Sequence, residues 1–242
     1  MQRIAWVVCA FIVTFSGCAK NAEVTTRPPP PPLLATRNAV ARHVTPARTP
    51  RPAAIVHRSR PCQAIEPDWI PAGGIKRDKW DVIVVHHSAA PTATPKGMDN
   101  YHRNERKWKN GLGYHFVIGN GVNTPDGRIY VGSRWKRQIT GAHCKAKSGR
   151  YFGVRRPNNF FNAHGVGICL IGHYDHSRPS KKQLAALERL VAFLCDHARI
   201  NPSNIYGHGE VTHKTACPGK YLARELAQVR ASVNQTIVAG QH

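Results

Sequence analysis

Proline is spread so unevenly along this chain that it divides the sequence before any other pattern is read. Eleven of the eighteen prolines precede Trp80 in a sequence of 242 residues. Five of them, Pro28 to Pro32, are consecutive. Each fixes φ and lacks an N–H, so the run suits neither a helix interior nor a central strand and favours an extended polyproline II rod. The rest of "RPPPPPLLATRNAVARHVTPARTPRPAAIVHRSRP", residues 27–61, is basic and has no apolar period. Residues 19–79 are therefore expected to be a Pro-rich basic linker, largely disordered. One folded domain is expected over 80–235, with a tail at 236–242.

The first eighteen residues have a different character. "MQRIAWVVCAFIVTFSGC" places Arg3 before a mostly apolar run from Ile4 to Phe15, then small residues and a cysteine. That is the layout of a secretory signal, too short for a comfortable membrane span. The ending "FSGC" resembles a bacterial lipobox, with Phe15 where that motif usually has leucine. The resemblance implies lipidation of Cys18. The chain would then be anchored to a bacterial membrane, facing the periplasm or cell wall. An ordinary cleaved signal is the alternative, and it also exports the protein.

Thirty-five basic residues against thirteen acidic ones give a formal charge of +22. A surface of that sign concentrates anionic partners: nucleic acid, acidic headgroups or an acidic wall polymer. Export and the lack of a recognisable nucleic-acid module argue against the first.

From Trp80 onward the texture is that of an α/β domain around one central mixed sheet. "WDVIVVHHS" (80–88) and "GVGICLIGHYD" (165–175) read as buried strands, and "GYHFVIGN" (113–120) and "GRIYVGS" (127–133) as strands joined by a turn. "GMDNYHRNERKWKNG" (97–111) predicts a polar helix. Over 180–199, Ser180 and Gln183 fit a capping box, and Leu184, Leu187, Val191, Leu194 and Ala198 share one face. A short strand at 204–208 and a closing helix at 219–233 complete the set.

The chemistry concentrates in two places. "VVHHSAA" carries His86 and His87, which strand alternation sends to opposite faces. "GHGEVTHKTACPG" (207–219) carries His208, Glu210, Lys214, Thr215 and Cys217. Two imidazoles and a thiolate suit zinc, and three protein ligands leave a fourth position open. Spacing alone leaves a metal site and a chance cluster as alternatives. Glu210 reads equally as a ligand-orienting group and a solvated acid. Cys62, Cys144, Cys169 and Cys195 admit three disulfide pairings, and Cys169 and Cys195 equally suit a core.

The ordered segments "VVHHSAA", "GLGYHFVIGN", "TGAHC", "HGVGICLIG" and "GHGEVTHKTACPG" resemble the blocks of the zinc amidase family. That family includes phage lysozyme-type amidases and the animal peptidoglycan recognition proteins. The resemblance runs from about Asp81 to Leu226. It implies an amidase-type α/β fold and a zinc ion held by His86, His208 and Cys217, with His87 either in packing or supporting the ligands from behind. It implies Tyr114 and Thr215 as catalytic donors, and His143 and Asn162 as cleft-lining, substrate-binding positions. Lys214, one residue off the register of a family lysine, is assigned to substrate binding. Residues 145–161 are longer than the family's usual connection.

The implied reaction is hydrolysis of the amide between N-acetylmuramic acid and L-alanine, with peptidoglycan or muropeptides as partner. A monomer without a nucleic-acid partner is expected. A non-catalytic peptidoglycan receptor on the same fold is the competing expectation. Loss of the metal cysteine usually marks that state, and Cys217 is present.

Overall fold

A computed structural model describes residues 66–239. The expectations for the export signal, Cys18, Cys62, the linker up to residue 65 and the last three residues lie outside this range. The folded part begins upstream of the expected boundary at Trp80. Residues Pro67–Trp69 and Arg77–Lys79 form two short 3-10 helices, and Trp69 is 1% exposed within the core. Its carbonyl accepts from Trp135 Nε1 at 2.7 Å, so this segment is part of the domain rather than tether.

Five strands form one mixed sheet in the order β3-β2-β6-β1-β7. β1 (Val82–His87) lies parallel between β6 (Gly165–Leu170) and β7 (Ile205–Gly207). β2 (Phe116–Ile118) runs parallel to β6 and antiparallel to β3 (Ile129–Val131). All six residues of β1 are buried, as are all six of β6, which is why both read as continuous rather than alternating runs.

The pleat sorts side chains into two cores. Ile83 and Val85 of β1, with Val166, Ile168 and Leu170 of β6, face α4 (Lys181–His197) and α6 (Lys220–Ala239). The capping box that starts α4 is present, with Gln183 N donating to Ser180 Oγ at 3.0 Å and Ser180 N to Gln183 Oε1 at 3.2 Å. α6 runs past residue 233 to Ala239, so the expected tail begins inside a helix. The opposite face carries Val82 and Val84 against Phe160, Phe161 and Val211, and Val117 and Cys169 beside Tyr114.

The helix expected over 97–111 is shifted. α1 spans Pro95–Asn104, because Thr94 Oγ1 caps Gly97 N at 3.0 Å and Pro95 suits the first position. It ends early where Lys107 turns to φ 57 and Trp108 folds back to stack on His102 at 4.6 Å. Short elements escaped the sequence reading: α2 (Ser133–Lys136), α3 (Phe160–Ala163), α5 (His208–Thr212) and a two-stranded hairpin, β4 (Gly149–Tyr151) and β5 (Val154–Arg156). Cys144, Cys169, Cys195 and Cys217 are all free thiols and buried, so no pairing among them forms.

Candidate metal centre

His86 occupies the C-terminal end of β1 and His208 is the first residue of α5, not the last of a strand. Cys217 sits on the loop before α6. The tertiary fold brings their ligand atoms to within 4.8 Å of one another. Cys217 Sγ is 3.6 Å from His86 Nδ1, and the rings of His86 and His208 are 4.6 Å apart.

The loop is held by its own backbone. Gly209 N donates to Cys217 O at 2.6 Å, and a Cβ at Gly209 would meet Thr215 O at 2.7 Å, so only glycine permits this approach. Glu210 resolves as a structural acid. Its Oε2 accepts from Gly207 N and from Arg230 Nη2, each at 2.6 Å, while Arg230 Nε donates to Ile205 O. This network fixes the β7–α5 corner that aims His208.

A chain of hydrogen bonds selects the nitrogen that His86 presents. His143 Nε2 lies 3.1 Å from Gly165 O, which can only accept, so His143 carries its proton there. Burial first, then His115, holds His143 well below the ordinary imidazole range, so the ring is neutral and its Nδ1 accepts. That Nδ1 is 3.0 Å from His86 Nε2, which therefore donates and leaves the Nδ1 lone pair facing Cys217. Burial, with His143 and His208 alongside, likewise keeps His86 neutral. Burial also lowers His208, with His87 adding to the effect.

Burial pushes the Cys217 thiol up to about 12, although the His87 N–H at 3.4 Å works in the other direction. Alone, this sulfur stays protonated; a divalent cation among the three donors would displace that proton. Two neutral imidazoles and one thiolate, with no fourth protein ligand in the group, fit zinc with an open coordination position.

His87 points to the other face, as alternation requires. Its Nδ1 accepts from Tyr174 N at 3.2 Å. His87, His173 and Asp175 form a second group with metal-capable atoms within 4.8 Å. Because His87 Nδ1 is engaged, its neutral ring keeps the proton on Nε2 and is a donor rather than a ligand.

Tyr114 stands beside the site, its ring 5.2 Å from that of His86. Burial, reinforced by Cys169 and Cys217, pushes its phenol well above the ordinary value, so it remains an O–H donor. Thr215 Oγ1 accepts from Cys217 N at 3.2 Å, which leaves its own proton free. Lys214 is exposed on the same loop.

The two residues expected to line the cleft are largely internal. His143 is 9% exposed with both nitrogens engaged internally, and Asn162 is 6% exposed. Asn162 Oδ1 accepts from His143 N and Cys144 N at 2.7 and 2.8 Å, and its Nδ2 donates to Asn159. Asn162 holds His143, and His143 orients His86. The sequence signal for this arrangement was Gly167, the second glycine in "GVG". A Cβ on Gly167 would lie 2.4 Å from His143 Cδ2, so β6 needs glycine there to admit the imidazole.

Similar proteins carry the same architecture. The chain is 32% identical to "Peptidoglycan-recognition protein LB" of Drosophila melanogaster over 155 residues, which covers 60% of this chain and 57% of that protein. It is 26% identical to "Peptidoglycan-recognition protein 2" of Holotrichia diomphalia over 152 residues, covering 60% and 70%. The chain thus spans less than two thirds of the length of the first of these relatives. Among solved structures, the N-acetylmuramoyl-L-alanine amidase LysC from Clostridium intestinale superposes with a TM-score of 0.51 at 27% identity, covering 64% of this chain and 86% of that one. The sequence model described as "N-acetylmuramoyl-L-alanine amidase" matches residues 76–220, more than half of the chain, and spans β1, the His143 loop and the Cys217 loop. The chain therefore belongs to the N-acetylmuramoyl-L-alanine amidase family.

Proposed function

We propose that the protein hydrolyses the amide between the lactyl group of N-acetylmuramic acid and L-alanine in peptidoglycan, with zinc bound by His86, His208 and Cys217. The observation that carries this reading is the His86–His208–Cys217 group, with the His143 relay that frees His86 Nδ1. A receptor that only bound peptidoglycan would have no use for a ligand nitrogen oriented in this way.

Zinc in such a site supplies a Lewis acid and lowers the pKa of water from ~16 toward ~7. The chain supplies the rest. Water adds to the carbonyl carbon, the carbon–nitrogen bond breaks, and the alanine nitrogen leaves with a proton. Tyr114 donates its O–H to the carbonyl oxygen as negative charge builds there, and Thr215 is the second donor. One such donor typically contributes ~3 kcal/mol to the transition state. Exposed Lys214 binds stem-peptide carboxylates.

The sequence relatives named as recognition proteins favour a second reading, a receptor that binds peptidoglycan without cutting it. Incubating the protein with purified muropeptides and weighing the products separates the two. Release of a free stem peptide supports the amidase, and binding without mass change supports the receptor.

The N-terminal sequence supports export and a lipid anchor at Cys18. Expressed in a bacterial host, the wild type partitions with membranes and Cys18→Ser carries no acyl group. A wild type released without acylation rejects the anchor.

A further inference from the structure

The connection at 145–161 begins just after His143 and ends just before Asn162, between β3 and β6 of the sheet. It holds the β4–β5 hairpin, which projects from the same face of the sheet as the metal centre. Tyr151 packs inward on Phe161 at 5.0 Å, and Arg156 lies over Phe160 at 4.1 Å. Five basic residues occur here (Lys145, Lys147, Arg150, Arg155, Arg156) and no acidic one.

Two features of the hairpin run against its own stability. Arg150 and Arg155 are directly paired across the strands, both exposed, and like charges in that position repel. The two-residue turn puts Phe152 at φ 47 before Gly153 at φ 83, although such turns favour Asn or Asp before glycine. A bulky residue in the left-handed region is strained, and strain of this kind collects at binding sites. Phe152 is held there by Tyr206, on which it lies flat, with ring centroids 3.8 Å apart and planes 4° apart. Tyr206 is two residues from His208. The outer face of Phe152 stays in solvent at 50% exposure.

We propose that this hairpin is a binding site for the carboxylate-bearing glycan strand of polymeric peptidoglycan, extending the cleft beyond the scissile amide. The proposal rests on the peptidoglycan reading above. The free face of Phe152 receives the apolar face of a sugar ring, and Arg150 and Arg155 take carboxylates of a neighbouring stem, which removes their mutual repulsion. A ring lying flat on Tyr206 offers a platform, whereas insertion into a lipid surface requires a projecting wedge.

Two variants of the full chain test it. Phe152→Gly relieves the turn and removes the platform, and Arg155→Glu converts a repulsive cross-strand pair into an attractive one. Both should melt no lower than wild type. Co-sedimentation with insoluble peptidoglycan should nevertheless weaken about fivefold to tenfold in each, the loss expected of an interface side chain worth about 1 kcal/mol or slightly more. Turnover of a soluble disaccharide muropeptide should stay at the wild-type level. Undiminished polymer binding by both variants overturns the proposal and leaves the amidase reading intact. Equal losses on polymer and soluble muropeptide also overturn it, because the hairpin would then belong to the cleft itself. Loss of binding to phosphatidylglycerol-containing vesicles with polymer binding retained makes a membrane the occupant and overturns it too. A wild type that neither binds polymer nor cuts muropeptide rejects the peptidoglycan reading itself.

Discussion

His86 donates its Nε2–H to His143 Nδ1 across 3.0 Å, and this contact decides which nitrogen of His86 is left for a metal. Partners of this kind typically contribute about 10-fold to 100-fold in metal affinity. His143→Ala should weaken zinc binding by that order while the three ligands remain, as read by competition with a chromogenic chelator. Gly167→Ala should produce a similar loss, because its Cβ would displace the His143 ring. Wild-type affinity in both would show that His86 needs no orienting partner.

Metal content follows from the ligand set itself. The wild type should hold about one zinc per chain, the stoichiometry of a single three-ligand site. Cys217→Ser and His208→Ala should each lose most of it in elemental analysis after dialysis. Full retention in both would mean that the ion lies elsewhere.

Tyr114 and Thr215 should separate kinetically. Tyr114→Phe removes a donor and no ligand, so kcat should fall about 10²-fold to 10³-fold with zinc content unchanged. Thr215→Ala removes a donor and also the acceptor for Cys217 N, so reduced zinc affinity should accompany its loss of kcat. Lys214→Ala, on the exposed part of the loop, should raise KM and leave kcat near wild type. A Tyr114→Phe enzyme with full turnover would remove that residue from the chemistry.

Acid should destabilise the domain even without metal. His115 is buried, its Nδ1 accepting from Gly167 N at 2.9 Å and its Nε2 lying 3.1 Å from Ile139 O. Burial is the main cause that lowers it from 6.5 to about 3. The folded pKa lies below the unfolded one, so acidification protonates the unfolded chain first. The contribution is complete above 6.5 and is lost as pH falls toward about 3, at a limiting slope of about 1.4 kcal/mol per pH unit. Urea unfolding in the presence of chelator, at several pH values in that window, measures the slope. His115→Gln should flatten it.

Much of the fold was legible because it is written in local rules. β1 opens on four β-branched apolar residues, β6 is an apolar run of strand length, and α4 announces itself through Ser180, Gln183 and a leucine stripe. The opposite facing of His86 and His87 follows from the pleat alone. The grouping of His86 with His208 and Cys217 was legible only through the resemblance, since spacing within "GHGEVTHKTACPG" does not say that His86 lies beside it.

What the sequence could not state was decided by contacts between distant segments. Trp69 joined the core because Trp135 and Phe193 wait for it there, far along the chain, and no local pattern marks it. His143 and Asn162 proved to be internal because their polar atoms are satisfied by Gly165, His86, Cys144 and Asn159. A side chain's type tells what bonds it can make; whether they are made inward or toward a ligand depends on which groups the fold places at hydrogen-bond distance. The same holds for Glu210, which is an ordinary surface acid until β7 and α6 bring Arg230 against it.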